Sequence, residues 1–386
     1  MHILHVTPYY APAYSFGGVV RMVEGVAQAQ LAQGHRVTVL TTNALSLKQA
    51  YTGDLDTVQD GVRVIRCPNL IYPLRAYNLD TPFSMSKQAK ALMPDIDIVH
   101  LHEFRTVENL LVTPIAKTYH KPVILSPHGT LTYNTGRSLL KSVWDKILSP
   151  RITPHIQHIV TLAQAELEDA QATWGQFSSQ PEFSIVPNGV SLDDFSALPD
   201  RAIFREEYNL GDARIILFMG RLHQRKGVDI LARAFKQANI PNTKLVIAGP
   251  DEGMLSTLEA LADESFILTG FLSGEARLQA LASADVFVLP AIGEGLSMAV
   301  LEAMAIGLPV VLSHGCNFPE VATADAGYIV NVNEADIANA LENILADADR
   351  LAQMSDNAQA LIRQKFTWEI VASQMTNVYS KYFNTP

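Results

Sequence analysis

Residues 285–313, DVFVLPAIGEGLSMAVLEAMAIGLPVVLS, contain the strand–turn–helix–strand pattern on which the prediction of the fold depends. A short apolar run ends at Pro290, and a glycine-containing turn follows it. A helical stretch rich in Ala and Met then continues to Gly307, and a second β-branched run begins at Pro309. Two such runs joined by one helical stretch predict a parallel βαβ unit.

The same alternation continues on both sides of this unit, and beyond Glu334 the pattern is helical to the C-terminus. The predicted strands lie at 2–6, 36–41, 62–66, 96–102, 123–126, 158–161 and 183–186, and at 214–220, 244–249, 266–270, 285–290, 309–313 and 327–330. This pattern predicts an α/β protein with two doubly wound parallel sheets. We expect the two domains to face a central cleft, with functional residues directly after the strands, because ligands bind there in open α/β sheets.

The length of 386 residues fits two domains of ordinary size. Turn residues and charges lie between Pro187 and Asp212, so the interdomain connection is expected there. We therefore predict a first domain at 1–195 and a second domain at 196–365.

The composition excludes several classes of protein. Hydrophobic residues make up 48% and charged residues 18%, which excludes a disordered chain. Cys67 and Cys316 are the only cysteines, so a disulfide framework is excluded. The net charge of −10 disfavours a nucleic-acid-binding protein. No apolar run is long enough to cross a membrane, and no signal peptide is recognisable, so we expect a cytoplasmic protein.

One basic segment stands out in this acidic chain. Between residues 109 and 165 the single acid is Asp145, whereas the cations are Lys117, Lys121, Arg137, Lys141, Lys146 and Arg151. Residues 137–151 alternate cations and large apolar side chains at helical spacing, which is typical of an interfacial helix. Two interpretations remain: peripheral contact with the inner face of the plasma membrane, or a domain helix whose apolar stripe packs inward.

The turn around Glu294 predicts a site for an anion and for hydroxyl groups. The helix that starts near Leu296 and Ser297 offers unpaired N–H groups to a phosphate. Glu302 lies eight positions after Glu294, in an apolar run where a carboxylate is costly without a partner. Two carboxylates beside a phosphate are better suited to accept hydrogen bonds from sugar or ribose hydroxyls. The combination indicates a nucleotide sugar.

Two cations follow the first strand of the second domain. Arg221 and Lys226 lie between this strand and a helix that begins near Val228. They are suited to a diphosphate, because negative charge develops on a leaving nucleoside diphosphate in the transition state.

Two motifs follow strands in the first domain. Gly17 and Gly18 open a helix and allow backbone N–H groups to approach a phosphate or an acceptor. They are not part of a GxGxxG fingerprint, which disfavours an NAD enzyme. His128 ends another strand and is followed by a glycine.

The metal-binding patterns are weak. Asp95 and Asp97 have DxD spacing but lead directly into a strand, which favours a strand-entry turn. His100 and His102 can share one face of a strand, and the sequence shows no third ligand.

Taken together, the motifs resemble those of the retaining glycosyltransferases of family 4, which have the GT-B architecture of two Rossmann-like domains. The positions that carry the resemblance are Glu294 with Glu302, Arg221 with Lys226–Gly227, Gly17–Gly18, His128–Gly129, Pro187–Val190 and Phe366–Trp368. The resemblance implies a hexosyltransferase that moves a sugar from a UDP- or GDP-sugar, without a metal or other cofactor. It implies a glycan or lipid-linked saccharide as acceptor, in polysaccharide or glycolipid biosynthesis, and a C-terminal helix at 366–386 that crosses back onto the first domain.

The resemblance also implies roles for individual residues. Residues from both domains would hold the diphosphate: Arg221, Lys226, Gly17, Gly18, Leu296 and Ser297. Glu302 would bind the ribose, and Glu294 would bind the donor sugar. His128 would contact the reacting sugar on the acceptor side, and the base would lie near Gly270 and Phe271. Family members often have Phe where this chain has Leu296, which blurs the identity of the sugar. No carboxylate in the first half is evidently placed as a nucleophile, so front-face attack is the favoured hypothesis for retention.

Three other functions are alternatives to this one. They are a GT-B sugar-nucleotide epimerase, a glycan phosphorylase and a non-catalytic sugar- or nucleotide-binding module. The sequence does not indicate the base, the sugar, the acceptor, the linkage or the oligomeric state.

Overall fold

The computed structural model of the chain describes residues 1–77, 79–131, 133 and 138–383. Residue contacts divide the chain into two compact units. The first unit comprises Met1–Gly189 together with the C-terminal segment from Trp368, and the second comprises Val190–Thr367.

The first unit is built on one sheet. Its strands in the described residues are β1 (His2–Val6), β2 (Arg36–Thr42), β3 (Asp56–Gln59), β4 (Val62–Cys67), β5 (Ile98–His102), β6 (Val123–Ser126), β7 (Ile156–Thr161) and β8 (Glu182–Ile185). Their order is β3-β4-β2-β1-β5-β6-β7-β8, and all neighbours are parallel except β3 and β4. The central strands are almost wholly buried, as expected for a parallel sheet covered on both faces.

The helices of this unit follow the strands along the chain. They are α1 (Gly18–Ala32), α2 (Met85–Leu92), α3 (Val107–Thr118), α4 (Ser138–Ile147) and α5 (Gln164–Trp174). Helix α3 begins where the Thr106 side chain accepts a hydrogen bond from the Asn109 N–H, which satisfies one donor of the first turn. Because α1 and α3 start shortly after β1 and β5, their N-termini lie toward the carboxyl edge of the sheet.

The second unit is built on a parallel sheet of its own. Its strands in the described part of the chain are β9 (Arg214–Met219), β10 (Thr243–Ala248), β11 (Phe266–Gly270), β12 (Val286–Leu289), β13 (Val310–Ser313) and β14 (Gly327–Val330). Its helices are α6 (Arg201–Glu207), α7 (Val228–Ala238), α8 (Leu255–Glu259), α9 (Gly274–Ser283), α10 (Met298–Ala305), α11 (Glu320–Thr323), α12 (Glu334–Ala346) and α13 (Ala348–Lys365).

The strand order of this second sheet is β11-β10-β9-β12-β13-β14. The chain runs outward from β9 through β10 and β11, and then returns to the other side of β9 with β12. The switch point between β9 and β12 is where doubly wound sheets bind ligands. The prediction of two doubly wound parallel sheets is confirmed.

The last helix, α14 (Trp368–Phe383), packs on α1 of the first unit. A Cβ atom at Gly25 of α1 would lie 2.2 Å from the Trp368 ring, so a glycine is required for this close approach. The first unit ends at Gly189, not at residue 195 as expected, because the Val190 N–H donates to the Phe366 carbonyl at 2.8 Å and so joins the second unit. Among the described residues, no helix combines the length and apolar character needed to cross a membrane.

Candidate active site

Lys226 and Glu294, predicted from separate motifs, form an ion pair in the second unit. Lys226 ends a short 3₁₀ turn after β9, and Glu294 lies in the turn after β12. Because β9 and β12 are neighbours, the pair lies at the switch point of the sheet. Both side chains are largely buried, at 12% and 23% exposure. A cation and a carboxylate are therefore held together where this fold binds ligands.

The two turns that carry this pair are bonded directly to each other. The Ile292 N–H donates to the Arg225 carbonyl at 2.8 Å, and Arg225 Nη2 donates to the Gly293 carbonyl at 3.0 Å. A Cβ atom at Gly227, which has φ +65°, would lie 2.2 Å from the Pro290 carbonyl oxygen. Only glycine fits this contact, and the turns are thereby held in register. Arg225 was not among the predicted site residues.

Arg221 lies in the same turn after β9 but is more accessible. Its Nη1 atom donates to both carboxylate oxygens of Glu252 at 3.0 Å. The side chains are 58% and 38% exposed, and an exposed ion pair of this kind contributes little to stability. An anionic ligand can therefore compete with Glu252 for Arg221 at small cost.

Glu302 lies on α10 and is buried. Its carboxylate forms an ion pair with Arg277 of α9, which explains how a charge is tolerated in an apolar helix. Nε of Arg277 is buried and has no hydrogen-bond partner among the described residues. Sequence reasoning predicted that Glu302 needs a partner but did not identify Arg277.

Ser297 is the N-cap residue of α10 and makes no side-chain cap bond. The helix has no acid in its first turn, so its first N–H groups and the positive end of its dipole face no competing carboxylate there. The Leu296 side chain is buried. These features fit the predicted phosphate position.

The predicted base region lies farther along the same sheet edge. Gly270 ends β11, and its carbonyl accepts a hydrogen bond from the Gly249 N–H at 2.8 Å. Phe271 follows with a side chain that is largely exposed. Strand β10 separates β11 from β9, so this region is not adjacent to the Lys226–Glu294 pair.

Gly17 and Gly18 lie in the first unit, unlike the other residues predicted to hold the diphosphate. Gly17 is the N-cap of α1 and has φ +101°, and Gly18 is the first residue of the helix. A Cβ atom at Gly17 would meet no other atom within 4 Å, so the backbone there is accessible.

His128 follows β6 and is half-buried, with φ +50°. Its Nε2 atom lies 3.0 Å from Nδ1 of His102. Burial lowers the pKa of His128 to about 3, so its ring is neutral at physiological pH. The next N–H, of Gly129, donates to the Glu166 carboxylate, which also accepts from the Leu162 N–H at 2.7 Å. Glu166 holds this turn and was missed, because an acid in the first turn of a helix is common.

A buried group of histidines lies behind His128. The sequence showed no third residue beside His100 and His102, but the structure adds His5 on the adjacent strand β1, in register with His100. Ring nitrogens of the three residues lie within 4.8 Å of one another, and all three rings are buried. By contrast, Asp97 accepts from the His2 N–H at 2.7 Å, at the opposite end of these strands.

Acids that are partly or fully buried also follow the strands of the first unit. Glu103 comes directly after β5, and burial together with the charge of Asp80 raises its pKa to about 7. The pKa of Glu108 is raised by the same causes. Asp80 accepts a hydrogen bond from Tyr9 Oη at 2.9 Å. None of these was predicted, because nothing in the local sequence indicates that the acids meet.

Two family profiles match the chain. The one described as "Glycosyl transferases group 1" matches residues 200–361, and the one described as "Glycosyltransferase Family 4" matches residues 16–194. Among curated relatives, a GDP-mannose-dependent alpha-(1-6)-phosphatidylinositol monomannoside mannosyltransferase of Mycolicibacterium smegmatis is 28% identical, over 94% of this chain and 95% of its own. An uncharacterized glycosyltransferase of Methanocaldococcus jannaschii is 26% identical over 98% of both chains.

Solved structures show the same fold. A sucrose-phosphate synthase from Thermosynechococcus elongatus superimposes with a TM-score of 0.77 at 19% identity, over 99% of both chains. The Anabaena protein HepE, in complex with UDP-glucose, superimposes with a TM-score of 0.74 at 18% identity, over 99% of this chain and 100% of its own. These likenesses cover the whole chain and concern its fold.

Proposed function

Since the chain belongs to family 4 of the glycosyltransferases, we propose that it transfers a sugar from a UDP- or GDP-sugar to a saccharide or lipid-linked saccharide, with retention of anomeric configuration. The expected GT-B fold and glycosyltransferase class are confirmed. The donor is supported by the GDP-mannose dependence named for the mycobacterial relative and by UDP-glucose in the HepE complex. The relative's phosphatidylinositol monomannoside acceptor supports a lipid-linked saccharide here.

The observation that carries the proposal is the ion pair of Lys226 and Glu294 at the switch point of the second unit. A diphosphate beside Lys226 would compete with Glu294 for the ammonium group. The Glu294 carboxylate would then accept hydrogen bonds from hydroxyls of the donor sugar. One pair thus supplies both the cation for the leaving group and the acceptor for the sugar.

Three further positions complete the proposed donor site. Arg221 adds a second cation to the diphosphate, and the first N–H groups of α10 at Ser297 add neutral donors. Glu302 accepts hydrogen bonds from the ribose hydroxyls, while Arg277 compensates its buried charge. Backbone near Gly270 and Phe271 contacts the base.

The first unit supplies the acceptor side of the reaction in this proposal. His128 is neutral and carries a ring nitrogen that can bond a sugar hydroxyl. Gly17, where a Cβ atom would meet no other atom within 4 Å, and the exposed Gly18 offer backbone to the donor phosphate or to the acceptor. Front-face attack, assisted by the leaving phosphate, accounts for retention.

We propose that the reaction needs no metal ion. The charge that develops on the leaving diphosphate is met by Lys226 and Arg221, which supply the electrostatic stabilisation that a divalent cation provides in other enzymes. Magnesium should therefore leave the transfer rate unchanged.

The proposal is tested by incubating the protein with UDP- and GDP-sugars and a panel of saccharide and lipid-linked acceptors. Product anomers are determined by NMR, with and without magnesium. An α-anomer formed from an α-linked donor, at equal rates with and without magnesium, supports the proposal. An inverted product, or consumption of the donor without an acceptor to give an isomer, would contradict it.

We further propose that α4 contacts an anionic membrane. Leu139, Leu140 and Ile147 are 77%, 62% and 61% exposed, so the interpretation in which the apolar stripe packs inward fails for these side chains. The acid of the helix, Asp145, is buried and paired with Arg105 at 2.6 Å. The expected contact spanned residues 137–151, of which Arg137 lies outside the described residues.

This face combines apolar side chains with exposed cations, Lys146 and Arg151, as an anionic lipid surface requires. We expect the protein to co-sediment with liposomes containing phosphatidylglycerol and to be released by salt. The double variant Leu139→Ser, Ile147→Ser should lose this binding, whereas Val58→Ser, at an exposed apolar position of β3, should keep it. Equal binding of all three proteins would contradict the contact.

A further inference from the structure

A chain of hydrogen bonds leads from His128 into the interior of the first unit. Nε2 of His128 lies 3.0 Å from Nδ1 of His102, and Nε2 of His102 lies 2.8 Å from Nδ1 of His5. Nε2 of His5 lies 2.8 Å from Oε1 of Gln30 on α1. His5, His102 and Gln30 are fully buried. The half-buried ring of His128 is thus joined to three side chains that have no access to water.

A second series of hydrogen bonds leads from Gln30 back to the segment that carries His128. Nε2 of Gln30 donates to Tyr379 Oη at 3.2 Å, and this hydroxyl lies 2.7 Å from Nδ1 of His100. Nε2 of His100 lies 2.8 Å from Oγ of Ser126, two residues before His128. Tyr379 belongs to α14, so the last helix of the chain takes part in the network.

The direction of the bonds that join Gln30 to His128 through His5 and His102 follows from the Gln30 amide. Its Nε2 atom is a donor and is used by Tyr379, so its Oε1 atom accepts, and Nε2 of His5 must carry a proton. A neutral imidazole has one N–H and one lone pair, so Nδ1 of His5 accepts from Nε2–H of His102. By the same rule, Nδ1 of His102 accepts from Nε2–H of His128.

All four histidines of the network are neutral at physiological pH, as this rule requires. Burial lowers the pKa of His5 to about 4 and that of His128 to about 3. The pKa values of His100 and His102 are lowered well below the usual range by burial and by the neighbouring imidazoles.

The geometry favours this network over a metal site. Each ring nitrogen of His5, His100 and His102 already has a hydrogen-bond partner. A metal ion would have to displace partners such as Gln30, Tyr379 or Ser126, all buried, and leave their polar groups unsatisfied.

We infer that Gln30, His5 and His102 are positioning residues that keep the proton of His128 on Nε2 and leave its Nδ1 lone pair to accept a hydrogen bond from a sugar hydroxyl. Nδ1 of His128 has no hydrogen-bond partner among the described residues, which leaves it available for this bond. The inference rests on the proposed role of His128 on the acceptor side. It adds that the role requires one tautomer, set by an amide two histidines away.

The tautomer can be measured without any substrate. In protein carrying ¹⁵N-labelled histidine, long-range ¹H–¹⁵N spectra distinguish protonated from unprotonated ring nitrogens, and a His128→Gln sample assigns the signals of His128. We expect a protonated Nε2 and an unprotonated Nδ1. In His102→Leu and in Gln30→Met, the signals should move toward the average of the two tautomers.

His158 provides a matched control. It is a buried histidine on β7, and its ring bonds Tyr382 Oη at 3.0 Å and Ser184 Oγ at 2.9 Å, as His100 bonds Tyr379 and Ser126. Among the described residues, neither of these hydrogen bonds joins His158 to the network of His128. His158→Leu should therefore lower the melting temperature as His102→Leu does but leave the His128 signals unchanged.

Kinetics give the second readout. We expect His102→Leu to lower kcat by about tenfold, with KM for the donor unchanged, because about one hydrogen bond in the transition state is weakened. His102→Gln should recover most of this rate, because its amide can accept from His128 and donate to His5. His158→Leu should retain the wild-type kcat.

The outcomes separate this inference from the proposed function. A His128 ring protonated on Nδ1, or signals unchanged in both His102→Leu and Gln30→Met, would overturn the positioning role whatever the activity. Equal loss of kcat in His102→Leu and His158→Leu would do the same. Full activity of His128→Gln would instead contradict the proposed role of His128 itself.

Discussion

The predicted site residues of the two units differ in kind. In the second unit the predicted charged residues form ion pairs: Lys226 pairs with Glu294, and Glu302 pairs with Arg277, which was not predicted. In the first unit the corresponding strand end carries neutral rings, since burial lowers the pKa of both His128 and His102. Lys226 and Glu294 follow β9 and β12, and His128 follows β6, so these three residues lie at the carboxyl edge of their sheets.

This difference supports the proposed division of donor and acceptor binding between the units. A diphosphate carries formal charge and is recognised by cations, which act over a distance and are screened by salt. A sugar hydroxyl is neutral and is recognised by hydrogen bonds whose direction must be fixed. The second unit is thus suited to the nucleotide and the first to the sugar acceptor.

The largest effect is expected at the ion pair of the second unit. Lys226→Ala should lower kcat/KM for the donor by roughly 10²- to 10³-fold, because a buried cation that stabilises the leaving group is removed. The measurement is steady-state kinetics with varied donor. Arg233→Ala, which removes a half-buried, ion-paired cation on α7, is the control and should leave kcat/KM unchanged. Equal loss in both variants would mean that net charge, not Lys226, matters.

A somewhat smaller effect is expected in the first unit. His128→Ala should lower kcat by roughly tenfold to 10²-fold, because the hydrogen bond from a sugar hydroxyl to its ring is lost in the transition state, while the affinity for the nucleoside diphosphate stays the same. Kinetics and calorimetric titration with the diphosphate measure the two quantities. A parallel fall in diphosphate affinity would break the division between the units.

The neutral histidines should also make stability depend on pH. The pKa of His5 falls from 6.5 to about 4 on folding, so the unfolded chain binds more protons between these values, and stability is lost as the pH falls. His5 alone should lower the free energy of unfolding by about 2 kcal/mol when the pH falls from 7 to 5.

Denaturant unfolding at the two pH values measures this loss. The loss of stability between pH 7 and pH 5 should be smaller in the variant His5→Gln. The same loss should persist in His314→Gln, which changes an exposed residue of the second unit. An unchanged loss in His5→Gln would show that His5 is not the neutral, buried group described above.

The smallest effect is expected at the exposed cation. Arg221→Ala should weaken diphosphate binding by only about twofold to fivefold, because exposed ion pairs contribute little and Glu252 already competes for the guanidinium. Calorimetric titration of the wild-type protein and the variant with the diphosphate measures this change in affinity. A loss as large as that of Lys226→Ala would mean that the two cations act equally despite their different burial.

Much of the fold could be predicted from the sequence, because β-branched runs and glycine turns have local signatures. Strand β3 (Asp56–Gln59) was missed, since its polar, half-exposed residues lack an apolar run. The first boundary was placed at residue 195 because turn residues continue past it, whereas backbone bonding at Val190 ends the unit earlier.

The candidate site was predictable where a single motif carries it. Lys226 and Glu294 follow strands, and residues at the carboxyl ends of neighbouring parallel strands meet. Arg277 and His5 were not predictable, because their contacts depend on which helix lies beside α10 and which strand lies beside β5. Tyr379 reaches His100 across 279 positions of sequence, which no local pattern indicates.

The proposed role of the ion pair in the second unit is to bind a nucleoside diphosphate without a metal. The most direct test is the melting temperature of the protein with UDP, GDP, ADP, CMP or TDP, with and without magnesium. A ligand at about 100 times its Kd adds roughly 2.7 kcal/mol to stability. We predict an increase with one diphosphate that is equal with and without magnesium and absent in Lys226→Ala. An increase that requires magnesium, or one that persists in Lys226→Ala, would contradict the claim.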